Sequence, residues 1–254
     1  MQKTLGILLL AGFAIYIAAC LALFLLQRSF IYFPPATAAL RAPRTSTMTV
    51  PGALVKISER PRPGKQALIY LGGNGEDVSM SLPQLADTFS EHALYLLHYR
   101  GYTGSTGTPT EGALVADALQ LFDRVAAVHP EVVLIGRSLG TGIAVQVASL
   151  RPVRKLVLVT PYDSLAALGV RQFPYFPVRW LMRDRYESVR YAPRVSAPTL
   201  LLVAERDEII PASSSAQLLA RFAPGIATSK VIAGTGHNSI SDSAAYAQAL
   251  QWAR

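Results

Sequence analysis

An α/β fold with a mostly parallel central sheet and helices on both faces is what this sequence predicts, on three observations. Short apolar runs bounded by glycine recur along the chain, and stretches of helical length separate them. The 254 residues, 51% of them hydrophobic, suffice to bury one large core. Strand alternating with helix demands parallel pairing, because the chain must cross back over the sheet before each new strand. In such sheets function gathers at the carboxyl ends of the strands.

The first element lies outside that pattern. Leu5–Leu26, LGILLLAGFAIYIAACLALFLL, carries no charge and as a helix would extend about 33 Å, enough to cross a bilayer core. We read residues 1–27 as an N-terminal membrane anchor. The competing reading is a cleaved secretory signal, and IAAC at Ile17–Cys20 resembles a lipobox at which Cys20 would be lipidated. Against both, the apolar stretch outruns a signal core of about 7 to 15 residues, and Leu21–Leu26 stays apolar where a mature tether turns polar. Lys3 precedes the segment while Arg28, Arg41 and Arg44 follow it, which leans toward a cytoplasmic domain.

Residues 28–63 are rich in Pro and Arg and read as a connection carrying short edge strands at Thr45–Val50 and Leu54–Ile57. Residues 64–254 carry the regular pattern. Strands buried on both faces are expected at Ala67–Gly73, Ala93–Gly101, Val132–Gly136, Lys155–Pro161 and Thr199–Glu205, with a weaker one at Ser229–Gly234. Helices are expected at Ser79–Ser90, Thr110–Val128, Leu139–Leu150, Ser213–Phe222 and Ser241–Trp252. Leu114, Ala118, Leu121, Phe122 and Val125, for example, form one stripe at helical spacing. Residues 163–198 are too long for an ordinary connection and carry VRQFPYFPVRW, so they read as a lid or binding insert.

The chemistry centres on LIGRSLGTG, Leu134–Gly142. Ser138 follows an apolar strand and precedes a helix within Gly-x-Ser-x-Gly, a sharp turn that lifts the hydroxyl above the sheet. A serine hydroxyl becomes a nucleophile only when a base takes its proton and a carboxylate orients that base. Of four histidines, His92 and His129 precede strands at the far end of the sheet, and His98 lies within an apolar run. His237, in GTGHNSIS after the last strand, is free to reach Ser138 from a loop. AERDEIIP places Asp207 just past a strand, with Glu205 and Glu208 as rivals, and Asp163 is a possible alternative acid whose other role is helix capping. Asp117 and Asp242 read as a solvated helix position and a helix start. A tetrahedral intermediate needs backbone donors: Leu139 follows the nucleophile, and LGGNGE offers a second from Asn74 or Gly73.

With LQRSFIYFP after the anchor, LGGNGE, YRGYTGSTG, GRSLGTG, AERDEIIP and GTGHNSI spread over nearly the whole chain, the sequence resembles an α/β-hydrolase. Within that superfamily it resembles the single-domain, membrane-anchored members that include protein depalmitoylases. The resemblance implies Ser138 as nucleophile, Asp207 as acid, His237 as base, and oxyanion donors at Asn74 and Leu139. Relatives often carry His-Gly at the oxyanion turn where this chain has Leu71-Gly72, which leaves a backbone donor in place. The expectation is a membrane-anchored serine hydrolase that cleaves carboxylic esters or thioesters through an acyl-enzyme. An amidase or aminopeptidase with the same triad, or a non-catalytic hydrolase-like membrane scaffold, are the rivals.

No metal or organic cofactor is expected, since the sequence has no P-loop and no metal-ligand cluster. The one cysteine excludes a disulfide framework. A net charge of +8 without a basic run or nucleic-acid motif points to anionic lipid rather than nucleic acid as the partner. Acylated or hydrophobic small molecules or proteins are the expected substrates, acted on by a monomer, and the expected location is a membrane with a single N-terminal span.

Overall fold

The computed structural model describes residues 2–35 and 44–254; Arg41 and part of the connecting segment lie outside the described residues. Helix α1 runs Gln2–Ile31, and its most apolar 18-residue window has a mean hydropathy of 2.7. It is long and apolar enough to cross a membrane. The helix continues past the uncharged stretch through Gln27, Arg28 and Ser29, so its last turns reach the folded domain.

Among the described residues eight strands form one sheet: β1 Thr45–Val50, β2 Ala53–Arg60, β3 Gln66–Leu71, β4 Ala93–Leu97, β5 Glu131–Arg137, β6 Lys155–Val159, β7 Thr199–Ala204 and β8 Ala227–Ile232. Their spatial order is β1-β2-β4-β3-β5-β6-β7-β8. β1 and β2 form an antiparallel hairpin and β2 pairs antiparallel with β4; every pair from β4 to β8 is parallel. The chain leaves β3 for β4 on one side and returns to β5 on the other. That reversal opens a crevice at the carboxyl ends of β3 and β5, where ligands of such sheets bind.

The apolar runs are explained by two cores. Along β3, Ala67, Ile69 and Leu71 face one core while Leu68 and Tyr70 face the other. β5 divides the same way, Val132 and Leu134 against Val133 and Ile135. A strand covered on both faces has no polar side to alternate with. Helices α3 Glu111–Ala126, α4 Leu139–Ala148 and α8 Ala212–Leu219 cover the first face; α2 Leu82–Thr88 and α9 Ala244–Leu250 cover the second. The insert contributes α5 Leu165–Gln172, α6 Val178–Leu181 and α7 Ser188–Tyr191. Thr110 caps α3 by accepting from Ala113 N–H.

Some expectations need correction. β2 runs on to Arg60 and is paired on both sides, because its inward polar residues are satisfied: Ser58 Oγ meets His98 Nε2 at 2.7 Å, and Glu59 pairs with Arg44 and Ser46. Asp117 is buried rather than solvated; Arg100 binds both its oxygens, at 2.6 and 2.7 Å, and fixes the loop after β4. Asp242 does not start a helix: it ends a 3-10 turn, and Ser243 caps α9 by accepting from Ala245 N–H.

Candidate active site

Ser138 joins β5 to α4 with φ +47° and ψ −116°, outside the regions a non-glycine residue favours. Holding it there costs about 1–3 kcal/mol, which the surroundings must offset. Ser138 N–H donates to Val159 O at 2.9 Å, and its carbonyl accepts from Thr141 N–H and Oγ1–H at 2.9 and 2.6 Å. The flanking glycines are steric necessities. A Cβ at Gly140 would stand 2.1 Å from Leu71 O, and one at Gly136 would stand 2.6 Å from Gly140 O. Only bare backbone lets α4 start this close to β3.

His237 and Asp207 meet that serine from two loops. The carboxylate can only accept, so His237 Nδ1–H donates to Asp207, 3.0 Å from each oxygen. Nε2 is thereby left to accept from Ser138 Oγ–H at 2.9 Å. Burial on its own would raise the Asp207 pKa. The bond from His237 and the N–H groups of Ile210 and Ile209 outweigh it and hold the carboxyl below its usual value. The rivals in AERDEIIP hold the histidine loop instead: Glu208 accepts from His237 N–H at 3.1 Å and Glu205 from Gly234 N–H at 2.9 Å.

Asp163 is not brought to His237. It is buried and accepts from Ser214 Oγ–H, while Ser164 caps α5. The other histidines are structural. His98 bonds Ser58, His129 bonds Gly64 O and Tyr95, and His92 packs edge-on against Phe89. Burial pushes His92 and His98 down to about 4.

At the LGGNGE turn the structure separates the two candidate oxyanion donors. Gly73 N–H is occupied, donating to Glu76 Oε2 at 2.6 Å. Asn74 and Leu139 both line the cavity at Ser138, and neither backbone N–H has a protein acceptor among the described residues. The Asn74 side chain is spent on another task. Its Nδ2 donates to Ile31 O at 2.7 Å, and its Oδ1 accepts from Phe33 N–H and Tyr102 O–H at 2.9 and 2.7 Å, fastening the end of α1 to this turn.

Comparison with known proteins identifies the fold. Residues 66–190 match the family model described as alpha/beta hydrolase fold. An uncharacterized protein of Mycobacterium tuberculosis is 34% identical over 84% of this chain and 80% of its own length. The chain belongs to the α/β-hydrolase superfamily. The lysophosphatidylserine lipase ABHD12 of Macaca fascicularis is 29% identical over 62% of this chain, which spans less than half, 45%, of that longer protein. A Paleococcus ferrophilus monoacylglycerol lipase shares the fold at a TM-score of 0.59 and 18% identity, over 78% of this chain and 96% of its own.

Several parts of this candidate site are not legible in the sequence. Glu76 accepts from Gly73 N–H, Tyr70 O–H, Ser81 Oγ–H and Arg137, the last at 3.1 Å, so it braces the LGGNGE turn against the residue before Ser138. The only signals were a glutamate closing LGGNGE and an arginine inside GRSLG. Above Ser138 and His237 lies a cavity of about 760 Å³. Phe173, Phe176 and Leu181 of the insert line it on one side, and Leu23, Phe24 and Phe30 of α1 on the other. The segment read as an anchor is thus also a wall of the cavity.

The insert is tied down at its base. Asp184 binds Arg28 of α1 at 3.0 Å and accepts from Glu111 N–H at 3.1 Å, while the Glu111 carboxylate accepts from Arg185 N–H and Tyr186 N–H. Farther out, Gln27 bonds Leu181 O and Arg183 N–H.

Proposed function

We propose that this protein is a membrane-anchored serine hydrolase that cleaves carboxylic ester or thioester bonds of acylated substrates. The observation that carries this reading is the hydrogen-bonded series Asp207, His237, Ser138 at the floor of an apolar cavity. Ser138 Oγ attacks the carbonyl carbon as His237 Nε2 takes its proton, and Asp207 stabilises the imidazolium. The N–H groups of Asn74 and Leu139 receive the oxyanion. Collapse expels the alcohol or thiol, which leaves with the proton from His237. Water then attacks the acyl-enzyme, gives its proton to His237, and the acid departs as that proton returns to Oγ.

Lipid esters are the substrate class we favour. The cavity lining is mainly aliphatic and aromatic, and the ABHD12 relatives are named lysophosphatidylserine lipases. A protein-linked palmitoyl thioester, the substrate of the depalmitoylases the sequence resembles, presents the same acyl group. Substrates of matched chain differing in oxygen ester, thioester or amide linkage separate these readings. Retention of α1 as the anchor is supported by Tyr16 Oη–H donating to Tyr175 O at 3.0 Å, a contact that cleavage before Cys20 would remove. The deciding experiment is reaction with a fluorophosphonate probe. Wild type is expected to label and Ser138→Ala not to; equal labelling of both, or labelling of neither, refutes the reading.

A further inference from the structure

We infer that α1 and the insert together form an acyl-chain channel that opens sideways into the bilayer, so that a lipid reaches Ser138 without leaving the membrane. The inference rests on the hydrolase reading and on α1 spanning the membrane. Its first ground is continuity. Beside the catalytic cavity runs a second groove of about 310 Å³ whose lining residues are all apolar, and Leu23, Phe30, Phe173 and Phe176 line both. From those shared residues the groove runs back along α1 to Ala22 and Ala19.

The second ground is depth. Arg28 is the first charged residue after the apolar stretch and is paired with Asp184, which sets it at the polar boundary. At the helical rise of about 1.5 Å per residue, Ala19 lies roughly 14 Å and Tyr16 roughly 18 Å farther along α1 toward the hydrocarbon. The insert follows the helix down to that level: Phe176 stacks on Tyr16 with ring centroids 5.8 Å apart and planes 9° apart. The groove between them therefore ends where a bilayer keeps its acyl chains.

The third ground is the surface of the insert. Trp180 is 88% exposed and precedes Leu181, whose carbonyl accepts from Gln27 next to Arg28, so it lies at the polar boundary with Arg179 and Arg183 on the same segment, while Tyr175, 86% exposed next to Phe176, lies at the deeper end. Aromatic rings with neighbouring arginines are what the interface of a bilayer selects. An acyl chain is the occupant that fits: its polar ester would reach Ser138 and His237, while the apolar lining would replace the lipid tails around its carbons. A water-soluble substrate gains nothing from a groove that opens at hydrocarbon depth.

The test uses the full-length protein in phosphatidylcholine vesicles. Hydrolysis of a long-chain monoacyl lipid held in the vesicle is compared with that of a short-chain water-soluble nitrophenyl ester. Wild type is expected to favour the long chain. Ala19→Trp and Ala22→Trp, which fill the groove, should lower the long-to-short ratio roughly tenfold or more, whereas Ile15→Trp on the free face of α1 should leave the ratio in place. An unchanged ratio in both groove variants overturns the channel, as does a wild type that hydrolyses the short ester without preferring the long chain. A wild type inert to both substrates and to the fluorophosphonate probe overturns the hydrolase reading itself. A second measurement does not depend on turnover: with Trp180 and Trp252 replaced by Phe, Tyr175→Trp should be quenched by lipids brominated in the acyl chain. Fluorescence unaffected by those lipids overturns the immersion of the insert.

Discussion

Replacing Glu76 by alanine tests whether the LGGNGE turn and the serine turn are held as one unit. Glu76 and Arg137 side chains are only 10% and 15% exposed, and their pair is 3.1 Å long. Removing one member of a pair this deep leaves a buried charge and costs about 3–5 kcal/mol. In a domain of this size that converts to a fall of roughly 6–20 °C in melting temperature. The same change frees Gly73 N–H, Tyr70 O–H and Ser81 Oγ–H, so the rate of fluorophosphonate labelling should fall with the stability. The decisive comparison is Glu76→Gln/Arg137→Met, which keeps one acceptor oxygen and removes both charges. It should recover at least half of the stability that Glu76→Ala loses, because no unpaired charge is left. Denaturation of Glu76→Gln, Arg137→Met and the double variant measures the coupling. Additivity within about 0.5 kcal/mol would show that the two side chains do not act together and would refute the brace.

Asp207→Asn should cut turnover on the order of 10⁴-fold while the protein stays folded, because the amide stabilises neither the correct tautomer nor the imidazolium. Asp163→Asn should instead lower the melting temperature and spare turnover per folded molecule; a reversed pattern in the two kinetic profiles would exchange their roles. His92 and His98, held down to about 4 by burial, contribute stability that is fully present above pH 6.5 and lost as pH falls toward 4. The unfolded chain binds their protons first, at a cost of about 3 kcal/mol each. His98→Gln should flatten the stability profile between those limits by about half, and an unaltered profile from denaturant titrations would contradict this. Gly140→Ala puts a Cβ 2.1 Å from Leu71 O, so its soluble yield and probe labelling should both collapse; a stable, reactive variant would mean that α4 can shift away from β3.

What could be read from the sequence was what local sterics or burial on two faces write into neighbouring residues. β3, β5, β6 and β7 show as unbroken apolar runs because each supplies two cores. β8 gave a weaker signal for the opposite reason: it is an edge strand with Ser229, Lys230 and Val231 exposed. The spacing of Gly136, Ser138 and Gly140 is legible because the turn forbids side chains on both sides of the serine. Asp117 misled because its partner, Arg100, lies 17 residues away, and nothing in its own helix announces the pairing. Glu76 was invisible on the same ground, since its bracing role exists only once β3 and β5 are adjacent.

That α1 also walls the cavity was hidden by a different limit. Hydropathy reports whether a side chain avoids water, and a lipid tail and a cavity that binds one look alike on that scale. Leu23 and Phe30, which line the cavity, are therefore indistinguishable in sequence from Leu8 or Leu10, which face outward. The polar contacts at the end of the helix separate them. Arg28 to Asp184, Gln27 to the insert, and the Asn74 side chain to Ile31 and Phe33 fix the rotation of α1, and rotation decides which apolar residues meet the cavity. Asn74 stands at the junction of both systems. Its side chain fastens the end of the helix while the residue itself lines the cavity at Ser138, so a movement of α1 pulls directly on the LGGNGE turn.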